Sequence, residues 1–261
     1  MIYIICALSA EARLFLDHYK LKQYTTLPFK VYESSEVKLI ISGVGYNNAL
    51  LATTALLAHF TPKKDAILLN IGVAAAPRKF ALDSLVVAHK INYKTQTFYP
   101  DILFSHNHEE ADLTTFDSPQ ESEGKSVVDM EAHAVFQAAS RFMQTHQMAF
   151  VKLISDHFEP EKVTKELILK SFKNSSSDIF SLINKISSVQ NNSSLFNDEE
   201  LKLIESYKRL FTKSQFQQFY DASSFYKLKR KKRLPLEAVA DIKSKQQRSD
   251  YLQDVIKQLT H

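Results

Sequence analysis

Apolar residues along this chain alternate between two spacings, and the alternation predicts a fold class before any single residue is considered. Residues 1–8 form a short apolar run of strand length, after which Ser9-Ala10-Glu11-Ala12-Arg13-Leu14-Phe15 takes up the spacing of an amphipathic helix with Ser9 as its expected cap. Residues 31–32 and 37–42 read as strands joined by the polar turn Glu33-Ser34-Ser35-Glu36, and the second runs into Gly43-Val44-Gly45 before a helical stretch at 47–59. Residues 66–71 are apolar without interruption, the mark of a strand covered on both faces of a parallel sheet, and they end on Gly72. Further strands are expected at 82–89 and 149–154, whereas 91–125 has no long period and reads as loops with short extended pieces. Asp129 is the expected N-cap of a buried helix continued by Ala132, Ala134, Val135, Ala138, Ala139 and Phe142. Residues 163–186 predict one helix, open to interruption at Asn174-Ser175-Ser176-Ser177. Strands alternating with helices in this way specify an α/β domain.

The pattern changes near residue 188. Ser187-Ser188-Val189-Gln190-Asn191-Asn192-Ser193-Ser194 is polar and of low complexity, which divides the chain into a domain over 1–187, a linker over 188–194 and an extension over 195–261. In the extension, Leu201, Ile204, Leu210, Phe211, Phe216 and Phe219 are spaced for two helices within 198–225, and 250–259 predicts another. Such a pattern points to docking or dimerisation before it points to a cofactor.

Composition narrows this picture. With 44% hydrophobic and 24% charged residues the chain is globular, not disordered throughout. The single cysteine, Cys6, excludes an internal disulfide framework and a cysteine-based metal site, and a reducing, cytoplasmic setting is expected. The first apolar run has no basic region before it and is interrupted by Glu11 and Arg13, so neither a signal peptide nor a membrane span is expected. Net charge is only +4, yet Lys227-Leu228-Lys229-Arg230-Lys231-Lys232-Arg233 gathers basic residues in one place. That run is either a solvated face or a contact for nucleic acid or an acidic partner; the nearby Phe219, Tyr220, Phe225 and Tyr226 would then stack on bases or pack in a core.

Chemistry concentrates at the strand ends. Of four glycines, Gly43, Gly45 and Gly72 stand where strands give way to loops, and ligands of open α/β sheets bind at that carboxyl edge. Glu11 follows the first strand, Ser155-Asp156 follows the strand at 149–154, and Asp129-Met130-Glu131 opens the buried helix. Those carboxylates equally fit the bland roles of capping free amides and complementing a helix dipole. His106-Asn107-His108-Glu109-Glu110 lacks a further ligand at recognisable spacing and is read as a surface loop, so no metal is expected. His133 either faces the pocket or bonds within its helix.

Taken in order, Ala7-Leu8-Ser9-Ala10-Glu11, Ser42-Gly43-Val44-Gly45, Asn70-Ile71-Gly72-Val73-Ala74, Val128-Asp129-Met130-Glu131-Ala132 and Ile154-Ser155-Asp156 resemble the nucleoside phosphorylase and nucleosidase superfamily, most of all the methylthioadenosine/S-adenosylhomocysteine nucleosidases. The resemblance covers about residues 1–187. It implies a three-layer α/β/α architecture with a mixed sheet, a homo-oligomer with a dimer favoured, no cofactor, and hydrolysis of the N-ribosidic bond of a purine nucleoside or thionucleoside. By the same resemblance Glu11 activates water, Asp156 protonates the purine at N7, Glu131 holds ribose hydroxyls and Met130 packs on the sugar, with Gly72, Val73 and Ser155 as further substrate-binding positions. Breaking the bond builds positive charge on the sugar and negative charge on the base, which is why a carboxylate and a proton donor are both needed. The acid must keep its proton near neutrality, through desolvation or a neighbouring negative charge.

Ser9-Ala10-Glu11 and Asn70 stand where family phosphorylases carry phosphate-binding arginines, which favours water over phosphate. Val73 replaces a serine, Ala75 and Ala76 replace glycines, and the segment from His89 to Val127 is short; Phe98, Tyr99, Phe104 and Phe116 are the candidates for stacking on the base. Two alternatives stay open: a catalytically degenerate member that binds nucleic acid or an acidic partner through its extension, and a nucleoside phosphorylase.

Overall fold

The computed structural model describes residues 1–192, 196–230, 232–236 and 244–260. They fall into two units, Met1–Asn191 and Asn192–His261.

The first unit is built on strands β1 (Ile2–Cys6), β2 (Lys22–Tyr24), β3 (Lys30–Glu33), β4 (Val37–Ile41), β5 (Ile67–Ala75), β6 (Leu85–Tyr93), β7 (Gln96–Phe98), β8 (Glu109–Thr115), β9 (Val127–Asp129) and β10 (Met148–Asp156). Its helices are α1 (Ser9–His18), α2 (Tyr46–His59), α3 (Ala132–Ala139), α4 (Lys165–Asn174) and α5 (Ser176–Asn192). β1 lies between β4 and β5 in parallel register, and β5 continues in parallel to β10. From β10 the sheet turns antiparallel to β6, then parallel through β8 to β9, and Val128 of β9 pairs back with Ala75 of β5. Five strands thereby close into a ring, while β3 and β2 extend the other edge as antiparallel neighbours.

Side chains alternate across this sheet because successive residues of a strand face opposite sides. Tyr3 and Ile5 join a core with Ala49, Ala52 and Leu56 of α2 and Val135 and Phe136 of α3. Ile4 and Cys6 join the opposite core with Phe15 of α1, Phe172 of α4 and Ile179 and Ile183 of α5. The result is the three-layer α/β/α arrangement with a mixed sheet, and it aligns the carboxyl ends of β1, β4, β5 and β10.

Several boundaries differ from the sequence reading, each for a local reason. Ser9 does not cap α1; Leu8 occupies the N-cap and Glu11 reaches back to its amide at 2.9 Å. The strand expected at 82–89 begins only at Leu85, since the apolar Leu82 is exposed in the preceding turn. β8 lies inside the stretch expected to be loops; alternate positions Ala111, Leu113 and Thr115 point inward while its other side chains are polar and wetter, so apolar density is low. The interruption at 174–177 divides α4 from α5, and α5 then continues to Asn192, making the first part of the expected linker helical. Ser193 and Ser194 of that linker lie outside the described residues.

The second unit contains α6 (Asp198–Leu210), α7 (Lys213–Arg230) and α8 (Lys245–Thr260) around Phe196, Tyr207, Phe211, Phe219, Leu252 and Val255. Phe219 is core and Phe225 is exposed, which separates the four aromatics noted near the basic run; Tyr220 and Tyr226 pack partly against the core. Leu201, one of the apolar positions that set the expected helices, is exposed. Buried Glu200 caps α6 with Asn197, accepts from the Leu234 amide at 2.8 Å and pairs with Lys227 at 2.9 Å. Arg233 pairs with Glu199 at 2.8 Å, and Lys231 lies outside the described residues. No described helix is long and apolar enough to cross a membrane.

Candidate active site

Glu11 stands just past the end of β1, in the first turn of α1, where three main-chain amides converge on it. Its Oε2 accepts from Ala7 and Leu8, and its Oε1 accepts from Val73 at the end of β5, each at 2.9 Å. The carboxylate approaches the β5 backbone so closely that a Cβ on residue 72 would lie 2.8 Å from Oε1, which accounts for Gly72. Burial pushes the Glu11 carboxyl above its ordinary range, while the Val73, Leu8 and Ala7 amides and the Lys152 ammonium pull against that rise.

Beneath lies a buried ion pair. Lys152 projects from the centre of β10, where its ammonium donates to Asp129 Oδ2 at 2.8 Å and to Asn70 Oδ1 at 3.0 Å. Asp129 also accepts from the Ala132 amide at 2.8 Å and from the Thr115 hydroxyl at 2.7 Å. Asp129 therefore does serve a first-turn amide of α3, as expected of a cap, while also holding a cation. Burial alone would push Lys152 down, but Asp129, Glu131 and Glu11 overcome it and hold the ammonium above the usual lysine value. Sequence reasoning passed over Lys152, and weighed Asn70 only as a position without a phosphate-binding arginine; the available signal was a lysine inside the apolar run Ala149-Phe150-Val151-Lys152-Leu153-Ile154, since a buried ammonium demands partners.

Glu131 is placed by a turn. Gly45, at φ +100°, directs its amide onto Glu131 Oε1 at 2.7 Å, so the Gly-x-Gly segment serves as a strand-to-helix turn that holds a carboxylate. Burial first, and the negative Asp129 second, push Glu131 up to about 7, against the pull of Lys152 and the Gly45 amide. Asp156 closes β10; its Oδ1 lies 2.6 Å from the Ser155 hydroxyl and its Oδ2 accepts from the Glu159 amide at 2.9 Å.

Glu11, Glu131 and Asp156 line one cavity of about 300 Å³, together with Met130, Val73 and Ser155. That volume is at the lower end of small-molecule sites. Gly72 is not part of its wall and sits behind Glu11. None of the four aromatic candidates reaches the cavity. Phe98 stacks on His133 and Phe136 at 4.6 and 4.4 Å, Tyr99 is exposed, Phe104 is core, and Phe116 uses its amide on the Asp129 carbonyl at 2.8 Å. The wall they were expected to supply comes from Ser118, Pro119 and Gln120. His133 turns away from the cavity into the aromatic layer, 3.0 Å from the Tyr46 hydroxyl, and burial lowers its pKa. Among the described residues no three His, Cys, Asp or Glu side chains are grouped to hold a metal; His106 pairs with Glu110 at 3.6 Å.

Comparison with solved structures gives the fold a class. The first unit's architecture is that of the nucleoside phosphorylase and nucleosidase fold. A methylthioadenosine/S-adenosylhomocysteine nucleosidase of S. pneumoniae, solved with a transition-state inhibitor, superposes with a TM-score of 0.60 at 20% identity, over 71% of this chain and 99% of its own. A mutant of the Helicobacter pylori nucleosidase, with 5′-methylthioadenosine in its active site, matches at a TM-score of 0.61 and 15% identity over 70% and 97%. That of Neisseria meningitidis, in complex with methylthio-immucillin-A, matches at 0.55 and 16% over 72% and 96%. No protein-family model matches the sequence, and no curated protein matches it.

Two outcomes follow from this geometry. Gly72→Ala forces Glu11 off the Val73 amide and is expected to cost about 2 kcal/mol or more in denaturant unfolding; an unchanged midpoint would show that Glu11 is not held there. Because the folded-state pKa of Glu131 lies above its unfolded value, the ionised carboxylate costs stability increasingly from about pH 4.5 to about pH 7 and fully above that. Glu131→Gln is accordingly expected to raise stability by about 1–3 kcal/mol at pH 8 and to have little effect at pH 4, read from unfolding curves at the two pH values.

Proposed function

We propose that this protein hydrolyses the N-ribosidic bond of a purine nucleoside or thionucleoside. The observation that carries the reading is the state of Glu11. A carboxylate offers about four lone-pair sites, and three of those on Glu11 are taken by backbone amides, two on Oε2 and one on Oε1. One lone-pair site remains for a water molecule on a side chain that lines the cavity. Desolvation raises the basicity of the carboxylate, which suits a general base working near neutral pH.

In the reaction the C1′–N9 bond breaks and its electrons pass into the purine, which takes a proton at N7 from Asp156. Water attacks C1′ and gives its proton to Glu11. Glu131, anchored by Gly45, accepts hydrogen bonds from the ribose hydroxyls, and its charge attracts the positive sugar that develops as the bond breaks. Leu8, Val44, Met130 and Val163 supply apolar wall suited to an uncharged 5′ substituent. Among the described residues lining the cavity there is no lysine or arginine, and Lys152 is already engaged by Asp129 and Asn70. A phosphate dianion would meet carboxylates without a cation, so water is favoured over phosphate as nucleophile. The same class of protein suggests a homodimer as the working assembly.

A second reading rests on charge. Residues 192–261 hold 14 Lys and Arg against 9 Asp and Glu, a net +5, whereas residues 1–191 hold 19 against 20. The second unit thus supports a contact with nucleic acid or an acidic partner, reduced by the use of Lys227 and Arg233 in internal pairs.

Incubation with a nucleoside panel, followed by chromatography of free base, tests the main reading: base is released without added phosphate, and Asp156→Asn slows release by about 100-fold or more. Release that needs phosphate, or none from any nucleoside, would overturn it. For the second reading, single-stranded RNA is expected to bind in low salt and dissociate as salt rises, with weaker binding after Lys229→Glu and Lys232→Glu; binding indifferent to both would exclude it.

A further inference from the structure

Within the nucleosidase reading, the structure points to one side chain as the selector of the base. Of residues 117–125, Gln120 alone is not exposed; its neighbours Ser118, Pro119 and Glu121 all lie in solvent. Gln120 also lines the cavity that Glu11, Glu131 and Asp156 share. It is the wall where stacking aromatics were expected and where a longer segment would otherwise stand.

The loop carrying Gln120 is anchored at both ends. Phe116 donates its amide to the Asp129 carbonyl at 2.8 Å, and Asp117 takes the Tyr93 hydroxyl at 2.8 Å and pairs with Lys94 at 3.2 Å. On the far side the Arg78 amide donates to Glu123 Oε1 at 3.2 Å, and the Ser126 and Thr114 hydroxyls meet at 2.9 Å. Gln120 is therefore presented by a pre-organised loop, and little ordering is left for a ligand to induce.

Its carboxamide is oriented as well. Nε2 donates to the Ser118 carbonyl at 3.0 Å and to the Pro119 carbonyl at 3.4 Å. Carbonyl oxygens only accept, so the amide nitrogen is the atom facing them. What the side chain retains for a ligand is Oε1, an acceptor. A carboxamide free to flip would read an amine or a carbonyl equally well, whereas one tethered through its nitrogen reads only a donor.

We infer that Gln120 is the specificity-determining residue of this site, with Oε1 accepting from the exocyclic amine at C6 of the purine and turning away a 6-oxo group. On the purine ring the C6 substituent neighbours N7, the atom assigned to Asp156, so one bound base can meet both side chains. A 6-oxo group would place carbonyl oxygen against Oε1, an unpaired contact between acceptors.

The test compares 5′-methylthioadenosine with its 6-oxo counterpart, 5′-methylthioinosine, on the intact chain and on Gln120→Leu. The intact protein is expected to favour the 6-amino substrate in kcat/KM, and Gln120→Leu to lower that preference about tenfold by slowing the amino substrate, as loss of one good hydrogen bond implies. A preference unchanged by the substitution, an equal loss on both substrates, or an intact protein that favours the 6-oxo compound would each overturn the assignment. Calorimetric binding of adenine and hypoxanthine separates this inference from the reading it rests on. If neither nucleoside is cleaved, hydrolysis fails, but tighter adenine binding that Gln120→Leu abolishes would still support the role of Gln120; equal binding of the two bases would reject it.

Discussion

A single ammonium group lies below the floor of the site, and the surrounding carboxylates are arranged about it. Lys152 neutralises Asp129 directly and acts on Glu131 and Glu11 through the low-dielectric interior. Removing a charge from water is expensive, and a buried ammonium persists only when well-placed acceptors surround it. Here Asp129 and Asn70 supply them, and Asn70 is itself tied to the Ile5 carbonyl at 3.3 Å. The pair joins β10, β9 and β5, and so couples the closing of the strand ring to the electrostatics of the cavity. Three carboxylates against one cation leave an excess of negative charge, which adds to burial, the larger cause, in raising Glu131. A site of that character suits the proposed reaction, in which the sugar becomes positive.

Much of this was legible in the residues because strands of a parallel sheet announce themselves as apolar runs. The strand ends placed Glu11, Glu131 and Asp156 on a common edge, and the structure brings them to one cavity. What escaped was information carried by partners distant in sequence. Lys152 stands alone in an apolar strand, and its partners Asp129 and Asn70 are far from it in sequence. β8 mixes Glu109, Glu110 and Asp112 with small inward residues, so its membership in the sheet depends on β6 and β9 as neighbours. Aromatic content misled most: Phe98 and Phe104 were reasonable candidates for a base platform, but each is consumed by core packing.

The second unit has a different physical organisation. Its core is rich in aromatics, with Tyr207 stacked on Phe219 at 4.5 Å, and its polar centre is Glu200, which fastens the end of the basic helix and the Leu234 backbone. Part of the basic run noted in the sequence is thus structural. Phe225 and Lys229, in cation–π contact at 5.3 Å, show that the same helix also offers a charged and aromatic face.

The carboxylates of the cavity are gripped chiefly by main chain. Ala7, Leu8 and Val73 present amides to Glu11, Gly45 presents one to Glu131, and Glu159 presents one to Asp156. An amide is common to every residue type except proline, so most of these supporting positions are free to change identity without disturbing what they hold. Shape can then outlast spelling: a scaffold that keeps its turns keeps its acids in place, even when four of every five letters have drifted from those of a protein with the same outline.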